Sequence, residues 1–340
     1  MGKKLLVVGS NSIHVYNFID LVEEYFDEVL LLTNSKNENH RVKSIEINFR
    51  LGVSSLSAVN KISRIAKEFN PTTVHIHQAN SYAFLTLFAL RNFASQKVLT
   101  AWGSDVLINP KKSMFLNQMV KYILNHVDMV TADSDTVLNE TNKLVRKNLE
   151  VYNINFGVEI PTCQVSKENI IYSNRLHKAL YNIDKIIISF AKFVVLNPDW
   201  KLVLAGSGED TDRLKALVHE LNLNDSVEFI GWVDAKTNYN YYCKSKIYVS
   251  IPQSDSISLS LVEGILCGCI PFVSNLPANR ELIISEIGFI VDDLENIPFL
   301  DYSKVETKQF EEKREEIKEY FSKEFNQKKY KALYERSDEN

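Results

Sequence analysis

The chain has 340 residues, which is long for one typical domain and suits two domains of about 150–170 residues. Its composition, 45% hydrophobic and 24% charged, is ordinary for a globular protein. The net charge of −4 is uneven: residues 1–150 carry 17 basic and 14 acidic side chains, and residues 151–340 carry 22 and 29. The excess of basic residues in the first half could favour binding to an anionic membrane surface or an anionic acceptor. Alternatively, it reflects lysines scattered on exposed helix faces.

Membrane-spanning and exported chains are excluded by the apolar pattern. No apolar run reaches 18 residues, and the opening MGKKLLVVGS becomes polar too quickly for a signal peptide, so it predicts a first strand. The cysteines show neither zinc-ligand spacing nor a disulfide framework; they are Cys163, Cys243, Cys267 and Cys269. We expect the last two, which flank a glycine in an apolar run, to be buried thiols in a reducing cytoplasm.

The first half alternates short apolar strands with helical segments. Strands are predicted at 5–8, 28–32, 44–48, 73–77, 97–101 and 129–132, and helices at 13–25, 58–69, 81–93, 115–126 and 134–146. This alternation predicts an α/β domain with a mostly parallel, doubly wound sheet, which binds ligands at the carboxyl ends of its strands.

The second half repeats the alternation after a connection at 152–164. Strands are predicted at 169–172, 201–205, 227–230, 247–251, 270–273 and 288–291, and helices at 183–197, 211–221, 237–243, 255–263 and 277–284. The predicted organisation is a Rossmann-like domain at 1–155, a linker at 156–165, a second Rossmann-like domain at 166–303 and one long charged helix at 304–340 that packs back toward the first domain. Two such sheets side by side would face a central cleft.

The most informative segment is SDSISLSLVEGILCG at 254–268, which holds Asp255 and Glu263. Ser256 and Ser258 are further candidates for the first positions of a helix, whose free N–H groups attract anions. Eight helical residues span about 12 Å, so one carboxylate would lie at the mouth of the helix and the other deeper, with room for a phosphate between them. This suits a nucleotide diphosphate sugar, with Asp255 on the sugar and Glu263 on the ribose. A capping aspartate and a solvated glutamate explain the same pair.

Four segments resemble the retaining glycosyltransferases of family 4, which have two Rossmann-like domains in the GT-B arrangement and move sugars from nucleotide donors. The segments are VHIHQANSYAF at 74–84, TAWGSD at 100–105, AGSGED at 205–210 and SDSISLSLVEGILCGCIPFVSN at 254–275. The resemblance covers nearly the whole chain. The family usually carries two glutamates separated by seven residues; Asp255 replaces the first here, and Glu263 matches the second, which in the family grips the ribose.

In the first domain the resemblance implies three catalytic or acceptor-side positions. His77 corresponds to a histidine that touches the donor sugar, whereas His75, two residues earlier on the same strand face, is expected to be structural. Asp105 would lie near the sugar or the acceptor hydroxyl, or is a turn aspartate. Trp102 stands where many relatives carry histidine and is either a platform for a sugar or a packing residue.

The loop after the first strand is the other acceptor-side candidate. The resemblance places residues 9–14 near the donor phosphates or the acceptor, and Asn11 and His14 are the side chains that it offers.

In the second domain the resemblance implies cations for the pyrophosphate leaving group. Relatives supply an arginine and a lysine about six residues apart, and Arg175 corresponds to the arginine. Tyr181 stands six residues later, so Lys178 is the candidate for the second cation.

Four further donor contacts follow from the same resemblance. Gly206 belongs to a tight turn on the nucleotide side, and Val233 lies where relatives contact the base through the backbone. Ser258 and Leu259 can offer backbone N–H groups to the diphosphate, and the Ser258 hydroxyl can add a bond.

The resemblance implies transfer with retention of configuration from a UDP-sugar, or a GDP-sugar as second choice, to a saccharide or lipid-linked saccharide in surface polysaccharide or glycolipid synthesis. No cofactor or metal is expected, since no paired Asp-x-Asp motif is present. The expected place is the cytoplasm, with possible contact at the inner membrane face and no nucleic acid partner. The alternatives are a UDP-sugar epimerase of the same fold and a non-catalytic two-lobed binding protein.

Overall fold

The computed structural model describes residues 2–145, 149–159, 162–283 and 286–335. The chain divides into two compact units, unit 1 with Met1–Gly157 and Lys323–Asn340, and unit 2 with Val158–Ser322. Four parts of the predicted elements lie outside the described residues: position 146 of one helix, 160–161 of the linker, 284 of another helix and 336–340 of the terminal helix.

Unit 1 contains a seven-stranded sheet in which all the paired strands are parallel. The strands are β1 Lys4–Val8, β2 Glu28–Thr33, β3 Lys43–Glu46, β4 Thr73–His77, β5 Gln96–Thr100, β6 Met129–Ala132 and β7 Glu150–Asn153. Their spatial order is β3-β2-β1-β4-β5-β6-β7. The order reverses between β1 and β4, which is the point where doubly wound sheets bind their ligands.

Helices cover both faces of this sheet. They are α1 Ile13–Val22, α2 Ser55–Phe69, α3 Ser81–Ala89, α4 Ser104–Leu107, α5 Asn109–Lys112, α6 Met114–Asn125 and α7 Asp135–Leu144, with a 3-10 turn at Glu23–Tyr25. Alternate residues of β1 point to opposite faces. Leu6 and Val8 join a core formed with α2, α3, α6 and α7. Leu5 and Val7 join a second core formed with α1 and with the C-terminal residues Tyr330, Leu333 and Tyr334.

Unit 2 contains a six-stranded, all-parallel sheet in the order β10-β9-β8-β11-β12-β13. The strands are β8 Glu168–Ser173, β9 Lys201–Ala205, β10 Val227–Gly231, β11 Ser245–Ser250, β12 Ile270–Ser274 and β13 Phe289–Val291. The helices are α8 Ile183–Val194, α9 Thr211–Glu220, α10 Ala235–Lys244, α11 Leu259–Leu266, α12 Pro277–Leu282 and α13 Thr307–Tyr320, with 3-10 turns at Ala179–Tyr181 and Phe299–Lys304. The next helix along the chain, α14 Lys323–Glu335, belongs to unit 1. The order reverses between β8 and β11, so residues after these strands lie side by side.

The prediction of a doubly wound α/β fold for both halves is confirmed, but three local predictions are wrong. Strand β7 at Glu150–Asn153 was missed, since it is a half-buried edge strand without an apolar run. The terminal helix is broken between α13 and α14, because the backbone N–H of Val158 bonds the carbonyl of Phe321 at 2.7 Å and the Phe321 ring is buried.

The third correction concerns the start of α11. The predicted helix from Asp255 to Glu263 begins only at Leu259, and Ser258 has an extended backbone with φ −75° and ψ 126°. Asp255 accepts a local hydrogen bond from the N–H of Ser256 at 3.1 Å, which favours a bend over a helical turn. The 12 Å axial separation predicted for Asp255 and Glu263 therefore does not apply.

The prediction for the cysteines is half right. Cys267 and Cys269 are buried free thiols. Cys163 and Cys243 form a disulfide, which contradicts the prediction that the chain has none, and the Cys267 sulfur lies within 4.8 Å of both of their sulfurs. The two partners are separated by 80 positions in the sequence, so no local pattern predicts this pairing; only the folded unit brings the chain before β8 onto α10. None of the described helices has the length and apolar character needed to span a bilayer.

Candidate active site

The Arg175 side chain lies at the strand reversal of unit 2, directly after β8. One of its nitrogens donates to Asp255 Oδ2 at 2.5 Å and the other donates to Ser258 Oγ, also at 2.5 Å. Burial acts to lower the pKa of Arg175, but the Asp255 carboxylate, together with Tyr248 and Tyr181, outweighs it, so the pKa of Arg175 lies above its ordinary value. The guanidinium is therefore a fixed positive charge that holds Asp255 and Ser258 together.

The N-terminus of α11 lies beside this arginine. The Ser258 hydroxyl makes no capping bond to its own helix and accepts from Arg175 instead. The backbone N–H groups of Leu259 and Ser260 have no acceptor among the described residues, whereas those of Leu261 and Val262 bond the Ser258 carbonyl. Two free N–H groups beside a guanidinium form a site that can bind a phosphate.

The Glu263 carboxyl is held on the second turn of α11. Tyr239, on α10, donates its hydroxyl to Glu263 Oε1 at 3.1 Å. Burial raises the pKa of Glu263, and the hydrogen bond from Tyr239 opposes this shift without cancelling it. A half-buried carboxylate oriented by a tyrosine can accept hydrogen bonds from a pair of hydroxyls.

A network of side-chain hydrogen bonds holds Asn174, the residue before Arg175. The sequence did not suggest this network. The Asn174 amide donates to Tyr242 Oη at 2.8 Å and to Asn238 Oδ1 at 3.1 Å, and its oxygen accepts from Tyr248 at 2.9 Å. These bonds fix the backbone immediately before Arg175. The only signal in the sequence was the position of Asn174 at the end of a strand next to a candidate cation.

The other donor-side candidates lie nearby with different environments. Tyr181 places its ring 4.5 Å from the Arg175 guanidinium, so the residue six positions after Arg175 supports that charge without adding one. Lys178 is exposed, and its ammonium forms no salt bridge within the described part of the chain. Val233 is half-buried and packs on the α10–α11 core. The neighbouring Trp232, which was not singled out, is 73% exposed.

The glycine turn after β9 is packed against the Arg175 loop. Gly206 has φ +92°, and a Cβ atom there would lie 3.0 Å from the Arg175 carbonyl oxygen. A Cβ on Gly208 would lie 2.3 Å from the His177 carbonyl oxygen. Glycine is required at both positions because the two loops touch through their backbones.

In unit 1, His77 ends β4 at the strand reversal beside the loop after β1. It is buried, and neither ring nitrogen has a hydrogen-bond partner among the described residues. Burial lowers its pKa to about 3, and His14 contributes to the shift, so the ring is neutral near pH 7. A neutral imidazole with two unsatisfied nitrogens is rare in a protein core and indicates a site for a polar ligand.

Two of the predicted acceptor-side residues surround His77. The His14 ring is 5.2 Å from that of Trp102, and the Trp102 ring is 6.0 Å from that of His77. The Trp102 indole N–H is likewise buried without a partner among the described residues. The three rings thus form one aromatic cluster with unsatisfied polar atoms.

His75 has the structural environment that was expected of it. Its Nδ1 pairs with the Tyr334 hydroxyl at 2.7 Å and its Nε2 with Thr100 Oγ1 at 2.6 Å. Both nitrogens are used inside the core, so His75 ties α14 to the sheet.

Asp105 is buried beneath the same loops and is 2% exposed. Its carboxylate accepts from the N–H of Ala79 at 2.7 Å and from the N–H of Trp102 at 3.1 Å. Burial raises the pKa of Asp105, while these backbone bonds act in the opposite direction. The carboxylate therefore joins the loop after His77 to the loop of Trp102, and its contacts are those of a positioning residue.

Asn11 joins the loops after β1 and β2. Its backbone N–H donates to Asn34 Oδ1 at 2.9 Å, and its side chain accepts from the Tyr16 hydroxyl at 2.9 Å. Asn34 in turn lines an open pocket of about 620 Å³, with polar and aromatic walls that include Asn48, Arg50 and Tyr82. Amide, guanidinium and aromatic groups together suit a hydroxyl-rich ligand.

Two family models match this chain in succession. The model described as glycosyl transferase 4-like matches residues 3–134, and the one described as glycosyl transferases group 1 matches residues 161–324. The chain belongs to the family 4 glycosyltransferases. The second match spans every donor-side residue of this family 4 member from Arg175 to Glu263, and the first spans Asn11, His77 and Asp105.

Curated relatives resemble parts of this family 4 chain. The N-acetyl-alpha-D-glucosaminyl L-malate synthase of Bacillus anthracis is 27% identical over 63% of this chain and 59% of its own length. The N-acetylgalactosamine-N,N'-diacetylbacillosaminyl-diphospho-undecaprenol 4-alpha-N-acetylgalactosaminyltransferase of Campylobacter jejuni is 30% identical over 45% of this chain and 46% of its own. The chain therefore matches less than two thirds of the length of either relative.

Solved structures share the GT-B fold of this family 4 chain. Anabaena HepE in complex with UDP and glucose superposes with a TM-score of 0.81 at 15% identity, over 97% of this chain and 99% of HepE. The sucrose-phosphate synthase of Thermosynechococcus elongatus superposes with a TM-score of 0.81 at 16% identity, over 98% of both chains. At these identities the similarity establishes the fold alone.

Proposed function

We propose that this protein transfers a sugar, with retention of configuration, from a nucleotide-sugar donor to a saccharide or lipid-linked saccharide acceptor. The observation that carries the proposal is the arrangement around α11. A guanidinium and two free backbone N–H groups lie at the start of the helix, and a tyrosine-oriented carboxylate lies on its second turn. Such an arrangement can bind a diphosphate at one end and ribose hydroxyls at the other.

The donor is assigned to unit 2. Arg175 and the N–H groups of Leu259 and Ser260 bind the diphosphate, and Glu263 accepts from the ribose. Asp255, next to Arg175, is placed to bind the sugar. UDP is the first choice of nucleotide and GDP the second; the UDP seen bound to Anabaena HepE, a protein of the same fold, supports this order.

The acceptor is assigned to Asn11, His14 and Trp102 of unit 1, where the Trp102 indole N–H is buried without a partner among the described residues. His77, in the same aromatic cluster, is assigned to the donor sugar, as the resemblance implies. In the proposed step the bond from the anomeric carbon to the phosphate oxygen breaks. A bond to the acceptor oxygen forms on the same face, and the acceptor proton passes to the departing diphosphate. This route needs neither a protein nucleophile nor a metal. Neutral His77 binds a sugar hydroxyl and carries no charge of its own.

The proposed role is in the synthesis of a surface polysaccharide or glycolipid, at the cytoplasmic face of a membrane. Two relatives support a lipid-linked acceptor by their names, the Campylobacter jejuni enzyme that acts on a diphospho-undecaprenol and the alpha-monoglucosyldiacylglycerol synthase of Streptococcus pneumoniae, which is 24% identical over 65% of this chain.

Thermal melting with nucleotides tests donor recognition first. UDP should raise the melting temperature more than GDP, and free glucose should leave it unchanged. A non-catalytic receptor for sugars would respond to the free sugar instead. A subsequent screen of UDP- and GDP-sugars for hydrolysis then identifies the donor, and an epimerase would convert the UDP-sugar to its epimer without consuming an acceptor.

His77→Ala separates donor binding from transfer. The variant should keep the UDP-induced shift, because His77 lies in unit 1, and should lose transfer of the sugar identified in the screen. Normal transfer by His77→Ala, measured with a verified donor and acceptor, would refute the assigned role.

A further inference from the structure

A stretch of unit 1 is strongly depleted of acidic residues. Between Glu46 and Asp128 the sequence has only two acidic residues, Glu68 and Asp105, and Asp105 is buried. The same stretch has nine basic residues: Arg50, Lys61, Arg64, Lys67, Arg91, Lys97, Lys111, Lys112 and Lys121. It supplies α2, α3 and α6, three of the four helices on one face of the sheet; the fourth, α7, carries Asp135, Glu140 and Lys143. In a chain of net charge −4, the part of this face that α2, α3 and α6 form is rich in positive charge.

Large apolar side chains are exposed where α2 and α6 begin. Val53 is fully exposed just before α2, and Leu56 in its first turn is 72% exposed. Met114 and Phe115, the first two residues of α6, are 81% and 62% exposed. The Ser113 hydroxyl caps α6 by accepting from the N–H of Leu116 at 3.2 Å, so the fold holds these two side chains in place.

Both helix starts lie at the same edge of the sheet. A helix that follows a parallel strand begins near the carboxyl end of that strand. Helices α2 and α3 follow β3 and β4, and α6 follows β5 after the one-turn helices α4 and α5 and leads into the parallel strand β6. Helix α3 packs between α2 and α6, so the two helix starts are roughly 20 Å apart. Between them, Tyr82 in the first turn of α3 stacks on Phe49 at 4.1 Å.

Exposed basic side chains adjoin each apolar pair. Arg50 precedes Val53, and Lys111 and Lys112 precede Met114. Within the described parts of the chain none of these three cations forms a salt bridge. No direct ion pair among the described residues neutralises these three charges, although Lys111 lies close enough to Glu140 of α7 to contribute to the lowered pKa of that carboxyl.

We propose that this edge binds the surface of an anionic lipid bilayer. The apolar side chains enter the boundary between headgroups and acyl chains, and the cations contact lipid phosphates. We call these residues the membrane edge: Arg50, Val53, Leu56, Lys111, Lys112, Met114 and Phe115. The same edge of the sheet carries His14 and Trp102, so, if the proposed function holds, docking brings a lipid-linked acceptor to the residues assigned to it.

The apolar component distinguishes a bilayer from the other anionic partners. Nucleic acids bind to basic surfaces through phosphates and through stacking on aromatic rings, and exposed valine, leucine and methionine add nothing to that mode. A second copy of this surface would bring like charges together. Exposed aliphatic side chains beside lysines are instead typical of interfacial membrane binding.

Co-sedimentation of the full-length protein with large unilamellar vesicles tests the proposal. The protein should bind vesicles of equal parts phosphatidylglycerol and phosphatidylcholine at least tenfold more tightly than vesicles of phosphatidylcholine alone, and 0.5 M NaCl should weaken this binding. The double variant M114N/F115N and the double variant K111Q/K112Q should each reduce vesicle binding about tenfold.

Matched controls come from unit 2. Val195 and Leu196 are also exposed, so V195N/L196N makes a comparable apolar-to-amide change, and K304Q/K308Q removes two exposed cations. Neither control should change vesicle binding. UDP-induced thermal shifts, measured in parallel, should be the same in all variants, so that failure of membrane binding is distinct from failure of donor binding.

Three outcomes would overturn the proposal. In the first, the wild type binds to neither kind of vesicle. In the second, it binds equally to both kinds of vesicle. In the third, M114N/F115N binds to anionic vesicles as tightly as V195N/L196N does. A nucleic acid would be the partner instead if K111Q/K112Q weakened vesicle binding, M114N/F115N did not, and polyuridylate abolished the binding of the wild type.

Discussion

Arg175 and Asp255 form an ion pair across the strand reversal of unit 2, with the guanidinium nitrogen 2.5 Å from Asp255 Oδ2. The arginine that the resemblance assigns to the diphosphate is thus already engaged by the carboxylate assigned to the sugar. A diphosphate bound to Arg175 would compete with Asp255 for the same positive charge, so the two assigned roles would be coupled.

The first prediction follows from this competition. Asp255→Asn removes the competing charge and should tighten UDP binding about two- to fivefold, the energy of a partly exposed ion pair. Sugar transfer should fall in the same variant. Isothermal titration with UDP measures the affinity. Asp184→Asn, which breaks another ion pair of unit 2, should leave UDP affinity unchanged. Weaker UDP binding by Asp255→Asn would show that the pair does not compete with the nucleotide.

The second prediction concerns Glu263. Glu263→Gln should weaken UDP binding about 10- to 150-fold, since a hydrogen bond to a charged group contributes about 1.5–3 kcal/mol. Because burial raises the pKa of Glu263, its carboxylate is lost on acidification earlier than an ordinary glutamate. UDP affinity of the wild type should therefore fall as the pH decreases toward that raised pKa.

Glu263→Gln should remove this pH dependence, because the amide does not titrate. Titrations at several pH values with both proteins check the point, and Glu220→Gln, at the end of α9, serves as the exposed control. An identical pH dependence in wild type and Glu263→Gln would assign the titration to another group.

The third prediction concerns Asp105 as a positioning residue. The asparagine of Asp105→Asn has only one side-chain oxygen, so either the N–H of Ala79 or that of Trp102 faces the amide nitrogen and loses its acceptor. This loss should lower the free energy of unfolding by about 1–3 kcal/mol. Hydrogen exchange in peptides that contain Ala79 and Trp102 should accelerate roughly 5- to 150-fold. Asp128→Asn, whose carboxylate accepts from the N–H of Lys97 at an exposed site, should have a smaller effect on its own segment. Loss of transfer with unchanged exchange would indicate direct contact of Asp105 with the substrate.

The fourth prediction is a loss of stability in acid. The pKa of His77 is lowered to about 3, so the unfolded state, with an ordinary pKa near 6.5, binds the proton more tightly than the folded state. The contribution of neutral His77 to the free energy of unfolding is complete above pH 6.5 and is lost as the pH falls toward 3. The slope is about 1.4 kcal/mol per pH unit, which gives roughly 2 kcal/mol between pH 6.5 and 5.

Calorimetry of His77→Gln and of the wild type at both pH values measures this difference. His75 is present in both proteins; the part of its lowered pKa that comes from burial cancels in the comparison, and the part that comes from His77 does not. The variant should lose about 2 kcal/mol less than the wild type between pH 6.5 and 5. Equal losses would mean that the His77 ring accepts a proton in the folded state.

The fifth prediction concerns the disulfide between Cys163 and Cys243. It closes a long loop in unit 2, and its reduction should lower the free energy of unfolding by about 2–4 kcal/mol. Thermal melting with and without dithiothreitol detects the change. The variant C163S/C243S should be insensitive to dithiothreitol, and Cys267→Ser should remain sensitive. Thiol titration of the denatured, unreduced protein should find only Cys267 and Cys269; four reactive thiols would contradict the pairing.

Much of the fold was predictable because each element carried its own pattern. The apolar runs of β4 and β9 were predicted at the observed bounds, Thr73–His77 and Lys201–Ala205. Strand β7 lacks such a run and is recognisable only from its pairing with β6. The start of α11 was misplaced at Asp255 because aspartate is a strong capping type, whereas in the fold Asp255 is bound by Arg175 and Ser258, another of the candidates, stands at the N-cap position.

Part of the candidate site was named from the sequence. Ser258 and Glu263 were named from their spacing along a predicted helix, and Arg175 was named from the resemblance to family 4 alone. Tyr239 and Asn174 were not named, since nothing in the sequence shows that a tyrosine of α10 faces Glu263 or that an asparagine joins three elements.

The sequence by itself determined the α/β alternation, the two halves and the residue types available at each strand end, because these depend on local periodicity and charge. Only the tertiary structure decided which of those residues meet. The pairing of Arg175 with Asp255, the burial of His77 without partners and the disulfide from Cys163 to Cys243 all join segments far apart in the chain. Such contacts are fixed by the order in which strands assemble into a sheet, which no local pattern encodes.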